Sequence, residues 1–151
     1  KSPSPAPEVR KPGKTAMADL FKGKRVLLVE DEPANREFLR ILLARTGAEI
    51  LVATSASELR RHFPGLPAID MILLDVRLPD GNGWDLVKEI KQVRKNIPVI
   101  AQTAFAMTGD REKSLGAGCD NYLSKPISPG TLLEMMQRYL PPANDSQVSH
   151  G

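Results

Sequence analysis

Cysteines and long apolar runs are what this chain has least of. The single cysteine among 151 residues, Cys119, excludes an internal disulfide framework, so a reducing compartment, the cytoplasm, is the expected location. No apolar stretch approaches the about 20 residues that a membrane-spanning helix needs. The start of the chain also lacks the apolar segment of a secretory signal. We therefore expect no membrane contact by this domain. A chain that begins at Lys1 rather than Met is expected to be a piece of a longer protein, and membrane attachment of that parent protein is left open.

Positive charge is concentrated at the start of the chain. Residues 1–25 hold seven basic and two acidic residues, and the remainder holds 14 basic and 16 acidic ones. Residues 1–22 are therefore predicted to form a basic, proline-rich linker, followed by one domain over residues 23–140 and a C-terminal tail over 141–151. Because the body is slightly acidic, no direct nucleic-acid partner is expected. DNA binding by the leader stays an alternative, and its affinity would fall steeply with salt.

Strand and helix patterns alternate five times along the body. Apolar runs predict strands at 25–30, 49–53, 71–75, 99–103 and 121–123. Helical spacing and capping residues predict helices at 33–46, 55–62, 85–95, 108–117 and 129–140, with a turn-rich loop at 79–83. This alternation is typical of an α/β fold with five βα units, a doubly wound parallel sheet and right-handed crossovers. Sites in such folds lie beyond the carboxyl ends of the strands.

Chemically active side chains follow those strand ends. Glu30 and Asp31 follow the first strand, Asp75 ends the third, Thr103 ends the fourth, and Lys125 follows the fifth. Three close carboxylates repel one another unless a cation lies among them, and Mg²⁺ is the natural occupant of such an oxygen-rich site. A lysine and a hydroxyl can hold a phosphoryl group. The set therefore favours phosphoryl transfer to a carboxylate nucleophile.

Four segments in this order resemble the receiver domain of two-component response regulators. They are Val-Glu-Asp-Glu-Pro at 29–33, Leu-Asp-Val-Arg-Leu-Pro-Asp-Gly-Asn-Gly at 74–83, Gln-Thr-Ala at 102–104 and Tyr-Leu-Ser-Lys-Pro at 122–126. Each motif alone is weak, whereas the ordered set over residues 24–140 is specific. The resemblance implies a flavodoxin-like fold with five parallel strands in the order 2-1-3-4-5.

The resemblance also implies a role for each acid. Asp75 would be the phosphoacceptor, which takes a phosphoryl group from phosphohistidine. Mg²⁺ would be bound by Glu30, Asp31, Asp75 and the main-chain carbonyl of Arg77. Arg77 and Phe105 would flank the site and set the lifetime of the phosphoryl group. Many relatives have aspartate where Glu30 stands, but the acid is kept.

The remaining roles implied by the resemblance concern catalysis and switching. Lys125 and Thr103 would contact the phosphoryl group. Tyr122 would turn inward when Thr103 moves toward the phosphate, although plain packing at the sheet edge is an equal alternative for Tyr122. The bond between Lys125 and Pro126 is expected to be cis, as is typical of the family.

The implied partners are a histidine kinase or a histidine phosphotransfer domain as donor, and a downstream relay partner. The segments at 23–25 and 116–127 look like receivers fused to hybrid sensor histidine kinases, so fusion to such a kinase is expected. As an enzyme, the domain would catalyse only its own phosphorylation.

Two other functions remain as alternatives. An aspartyl-nucleophile phosphatase would place a second aspartate two residues after the nucleophile, where this chain has Arg77. A phosphorylation-independent, receiver-like binding module would be expected to lack the acids or Lys125. Taken alone, Glu30 and Asp31 could be an acidic cluster that stabilises the N-terminus of the following helix.

Overall fold

A parallel sheet of five strands forms the centre of the computed structural model, which describes residues 18–104 and 109–140. The strands in chain order are β1 (Arg25–Val29), β2 (Glu49–Ala53), β3 (Met71–Asp75), β4 (Arg77–Leu78), β5 (Gly81–Asn82), β6 (Val99–Thr103) and β7 (Asn121–Ser124). The order in the main sheet is β2-β1-β3-β6-β7, and β4 and β5 form a separate antiparallel pair. When only the five strands of the main sheet are numbered along the chain, their order is 2-1-3-4-5. The predicted fold is therefore confirmed.

In the described part of the chain, four α-helices connect the strands and a fifth follows β7. They are α1 (Pro33–Ala44), α2 (Ala56–Arg61), α3 (Gly83–Val93), α4 (Asp110–Ala117) and α5 (Pro129–Tyr139), and a 3₁₀ helix spans Phe63–Ala68. Side-chain caps fix where several begin. The Ser128 hydroxyl accepts from the Thr131 N–H, and Pro129 stands in the first turn. Asn82 accepts from the Asp85 N–H, so α3 begins at Gly83 and not at residue 85. None of these helices is long and apolar enough to cross a membrane.

Two apolar layers cover the two faces of the sheet. Successive residues such as Leu27 and Leu28 point to opposite faces, and each lies in a different layer. All five residues of β3 are buried, because this central strand is covered on both sides. Phe21, near the end of the segment predicted as a linker, is fully buried in the layer beneath α1 and α5. The domain limits stay a prediction, since residues 1–17 and 141–151 lie outside the described part.

The segment predicted as a loop at 79–83 is in part a small hairpin. Strand β5 lies within this segment and pairs with β4, which begins two residues after Asp75. The Gly83 N–H then donates to the Val76 carbonyl at 2.7 Å. A Cβ on Gly83 would lie 2.6 Å from the Val76 Cα, so only glycine fits here. This close approach fixes the backbone immediately after Asp75.

Candidate functional site

Two neighbouring strands bring the acids together at one edge of the sheet. Val29 of β1 pairs with Leu74 of β3, so the next residues, Glu30 and Asp75, lie side by side. Glu30 is fully buried and Asp75 is 4% exposed. Carboxylate oxygens of Glu30, Asp31 and Asp75 all lie within 4.8 Å of one another, and Asp31 is the most exposed of the three. The predicted convergence of these acids is therefore present.

Lys125 enters the same site from the end of β7. Its Nζ lies 2.9 Å from Asp75 Oδ2 and 3.2 Å from Glu30 Oε1. Burial alone would lower the pKa of Lys125, but the hydrogen bond and charge of Asp75, with those of Glu30, outweigh burial and raise it. Burial, and then the negative charge of Asp75, raise the pKa of Glu30. The lysine thus compensates part of the acidic charge.

The Asp75 carboxylate is oriented from two sides. Its Oδ1 accepts a hydrogen bond of 2.9 Å from the backbone N–H of Arg77, and its Oδ2 accepts from the Lys125 ammonium. The first bond depends on the backbone that Gly83 holds, and the second depends on the loop that follows β7. Main chain and side chain together therefore present this carboxylate in a defined geometry at the mouth of the site.

One amide side chain that the sequence did not single out, Asn35, supports Glu30 and is in turn bonded to a second amide, Gln102. Asn35, in the first turn of α1, donates through Nδ2 to Glu30 Oε1 at 2.7 Å and lies 3.3 Å from Gln102 Oε1. Glu30 Oε2 accepts from the backbone N–H of Glu32 at 3.1 Å. These bonds favour the ionised form of a buried acid and partly offset its desolvation. The only sequence signal was a polar residue facing back from the helix that follows the acids.

Arg36 stabilises the backbone of the acidic turn. Its Nη1 donates to the carbonyl oxygens of Glu30 and Asp31, at 3.2 and 3.1 Å. These carbonyls follow the end of β1, where the sheet hydrogen bonds stop. Because the guanidinium binds main-chain oxygens and not the carboxylates, the acids keep their side chains directed to the site.

Thr103 lies at the same edge of the sheet, at the end of β6. Its side chain is buried, and its hydroxyl donates to Oδ2 of Asp110, the first residue of α4. Asp110 is itself 1% exposed, and Nη2 of Arg77 lies 3.9 Å from the same oxygen. Sequence reasoning missed Asp110, since α4 has only a weak apolar pattern to show which side is buried.

Tyr122 is half-buried against the apolar layer beneath α3, with the Arg111 guanidinium 5.9 Å from its ring centroid. Both alternatives for Tyr122, packing and switching, therefore stay open. The bond between Lys125 and Pro126 is cis, as expected. Phe105 lies outside the described residues. The roles assigned to the site residues stay predictions, while the structure brings Glu30, Asp31, Asp75 and Lys125 together.

A sheet of this order with acids and a lysine at its carboxyl edge defines a class of phosphorylatable signalling domains. The family model described as the response regulator receiver domain matches residues 26–137. The chain therefore belongs to the receiver domains of two-component systems.

Curated and structural relatives agree with this family. The polar-differentiation response regulator DivK of Brucella ovis is 39% identical over 123 residues, which cover 78% of this chain and 96% of DivK. A CheY-like receiver domain from Methanospirillum hungatei has a TM-score of 0.72 at 30% identity, covering 85% of this chain and 98% of that one. The receiver domain of a sensor histidine kinase from Pseudomonas aeruginosa has a TM-score of 0.69 at 33% identity, covering 78% and 98%. In that structure a magnesium ion is coordinated in the active-site cleft.

Proposed function

We propose that this receiver accepts a phosphoryl group from phosphohistidine on Asp75, within a two-component phosphorelay. The observation that carries the proposal is the geometry of the Asp75 carboxylate. It stands at the carboxyl edge of the sheet, 2.9 Å from an ammonium and among two further acids. A carboxylate held in this way can act as a nucleophile, and the ammonium can compensate charge on a phosphoryl group.

Glu30, Asp31, Asp75 and the main-chain carbonyl of Arg77 would hold Mg²⁺. The donor set fits this ion, since it consists of oxygens and Lys125 supplies one positive charge against three carboxylates. The magnesium-bound Pseudomonas relative supports the assignment. When bound, the ion would neutralise charge on the transferring phosphoryl oxygens.

The residues of this chain then have distinct parts in the transfer. An oxygen of Asp75 attacks the phosphorus in line; the new P–O bond forms as the P–N bond breaks, and the donor imidazole leaves with the bonding pair. Lys125 turns its ammonium from the Asp75 carboxylate to the phosphoryl oxygens. The Thr103 hydroxyl donates a hydrogen bond to another phosphoryl oxygen. Movement of Thr103 would bias the face formed by α4, β7 and Tyr122, which would bind the downstream partner.

The direct test is incubation of the protein with acetyl phosphate and Mg²⁺, followed by intact-mass spectrometry. We expect one phosphoryl adduct, which forms only slowly or not at all when EDTA removes the metal. Loss of the adduct in alkaline hydroxylamine would show an acyl phosphate. A protein that stays unmodified at high acetyl phosphate, or one modified equally well in EDTA, would contradict the proposal.

The donor is proposed to dock on α1, which begins two residues after Asp31. Phe38 and Ile41 are 40% and 47% exposed there, and they line a groove of about 490 Å³ between α1 and α5. Exposed apolar residues beside a reactive site are typical of a protein interface. A helical domain that carries phosphohistidine could bury them while its imidazole reaches Asp75.

Ile41→Glu is therefore expected to slow transfer from a phosphohistidine donor by about tenfold or more, because a charge would be buried in the interface. Its rate with acetyl phosphate should be unchanged, since a small donor needs no docking surface. Val93→Glu is the matched control, because Val93 is 49% exposed on α3. Equal rates for Ile41→Glu and Val93→Glu with the protein donor, measured by radiolabel transfer, would exclude this face.

We further infer a cytoplasmic location and fusion to a sensor histidine kinase. The unpaired Cys119 supports the first inference, since a lone cysteine without a disulfide framework is typical of a protein in a reducing compartment. Similarity to the receiver of a Pseudomonas sensor kinase supports the second. Detection of the parent polypeptide with an antibody against this domain, after cell fractionation, tests both.

A further inference from the structure

The hydroxyl of Thr103 is engaged before any phosphoryl group arrives. It donates to Oδ2 of Asp110, and both side chains are almost fully buried. A threonine hydroxyl carries one proton, so it cannot donate to Asp110 and to a phosphoryl oxygen at the same time. The Asp110 carboxylate is acceptor-only when ionised, and its burial makes a donor necessary. If the Thr103 hydroxyl turns toward a phosphoryl group on Asp75, its hydrogen bond to Asp110 must therefore break.

The Arg77 side chain lies where it could replace Thr103 as the donor to the Asp110 carboxylate. Its Nη2 lies 3.9 Å from Asp110 Oδ2, which is beyond hydrogen-bond distance but close enough for a small rotation to close. The same residue donates its backbone N–H to Asp75 Oδ1. Its side chain is 57% exposed and lies at the rim of the site. The backbone of Arg77 thus contacts the Asp75 carboxylate, and the side chain of Arg77 faces Asp110.

We propose that Asp110 is a positioning residue that holds the Thr103 hydroxyl in the unphosphorylated domain and opposes its transfer to the phosphoryl group. On phosphorylation the Thr103 hydroxyl keeps its proton but redirects its hydrogen bond from Asp110 to a phosphoryl oxygen, and Arg77 closes on Asp110. This inference rests on the proposed function. Its consequence is an energetic cost, set by one hydrogen bond, that phosphorylation must overcome.

The exchange would be transmitted to α4, because Asp110 is the first residue of that helix. The N-cap, Gly109, has a φ of 87° and provides no side-chain cap. One turn further on, the Ser114 hydroxyl accepts from the indole Nε1 of Trp84 at 3.1 Å. Trp84 is the only tryptophan in the chain. Its fluorescence should therefore report a displacement of α4.

The test is a titration of the intact chain with beryllofluoride, a phosphoryl mimic, in the presence of Mg²⁺. Trp84 fluorescence is the readout of binding. Asp110→Ala removes this acceptor of the Thr103 hydroxyl. The variant should bind the mimic about tenfold more tightly than the natural chain. Asp110→Asn keeps a weaker acceptor and should lie between the two. In a Thr103→Val background, where no hydroxyl is held, Asp110→Ala should change nothing. Glu112→Ala is the matched control, since it removes an exposed acid from the same first turn.

Unchanged or weaker binding by Asp110→Ala, with folding verified by circular dichroism, would overturn the inference. An equal gain in the Thr103→Val background would overturn it too. If Asp110→Ala fails to fold, the Asp110→Asn result decides, and affinity equal to that of the natural chain counts against the inference. Failure of the natural chain to bind the mimic at all would instead contradict the proposed function.

Discussion

Asp75→Asn is expected to abolish the phosphoryl adduct completely in acetyl phosphate with Mg²⁺. The amide oxygen is a poor nucleophile and bears no charge to assist attack, while the size and shape of the side chain are kept. The new amide can still accept from the Arg77 N–H, and it removes the repulsion with Glu30 that raises the pKa of that acid. The unfolding free energy should therefore change by no more than about 1 kcal/mol, since the lost ion pair and the lost repulsion oppose each other. Intact mass and thermal denaturation measure the two effects.

Asp80→Asn is the matched control for the loss of an aspartate. Asp80 is exposed in the same hairpin, and its carboxylate caps α2 by accepting from the N–H groups of Ala56 and Ser57 at 2.7 and 3.0 Å. The Asp80→Asn variant should form the adduct at the normal rate, and the weakened cap should lower its stability slightly. An adduct that persists in Asp75→Asn would move the nucleophile to another acid, and peptide mapping would identify it.

Sequence patterns predicted the strands well because the central strands are buried on both faces. The run at 71–75 is entirely apolar before Asp75, and β3 has these bounds in the structure. Parallel strands present their carboxyl ends at one edge, so the acids at the ends of β1 and β3 had to converge. The residues at or just beyond each strand end then indicated which chemistry the site could carry out. No long-range contact had to be known for this step.

Contacts that depend on tertiary approach could not be read in the same way. Asn35 meets Gln102 across 67 positions of sequence, and neither position stands out in its own element. Asp110 is polar at the start of a polar helix, and only the packing of α4 beside Thr103 buries it. The β4–β5 pair was missed because a turn-rich segment shows no alternating pattern over two-residue strands. These side chains tune the site, whereas those at the strand ends define it.

Lys125→Met is expected to reduce both stability and phosphorylation. It removes the ammonium that contacts Glu30 and Asp75 and leaves two adjacent buried acids without that compensation. Breaking a buried pair costs several kcal/mol, and because Lys125 stands at the open mouth of the site we expect a loss of about 2 kcal/mol at neutral pH. The rate with acetyl phosphate should fall about a hundredfold, since the Lys125 ammonium then no longer meets the phosphoryl oxygens. Urea denaturation and intact-mass kinetics measure the two losses.

The pH dependence and a second substitution separate these effects. The folded-state pKa of Lys125 is raised, so its stabilising contribution is present below its unfolded value of 10.5 and is lost as pH rises through the folded one. The folded-state pKa of Glu30 is also raised, so the cost of Lys125→Met should shrink as acid protonates Glu30. At neutral pH, Glu30→Gln combined with Lys125→Met should recover most of the lost stability and none of the phosphorylation rate. A double variant as unstable as Lys125→Met alone would show that the lysine stabilises the fold through contacts other than this charge pair.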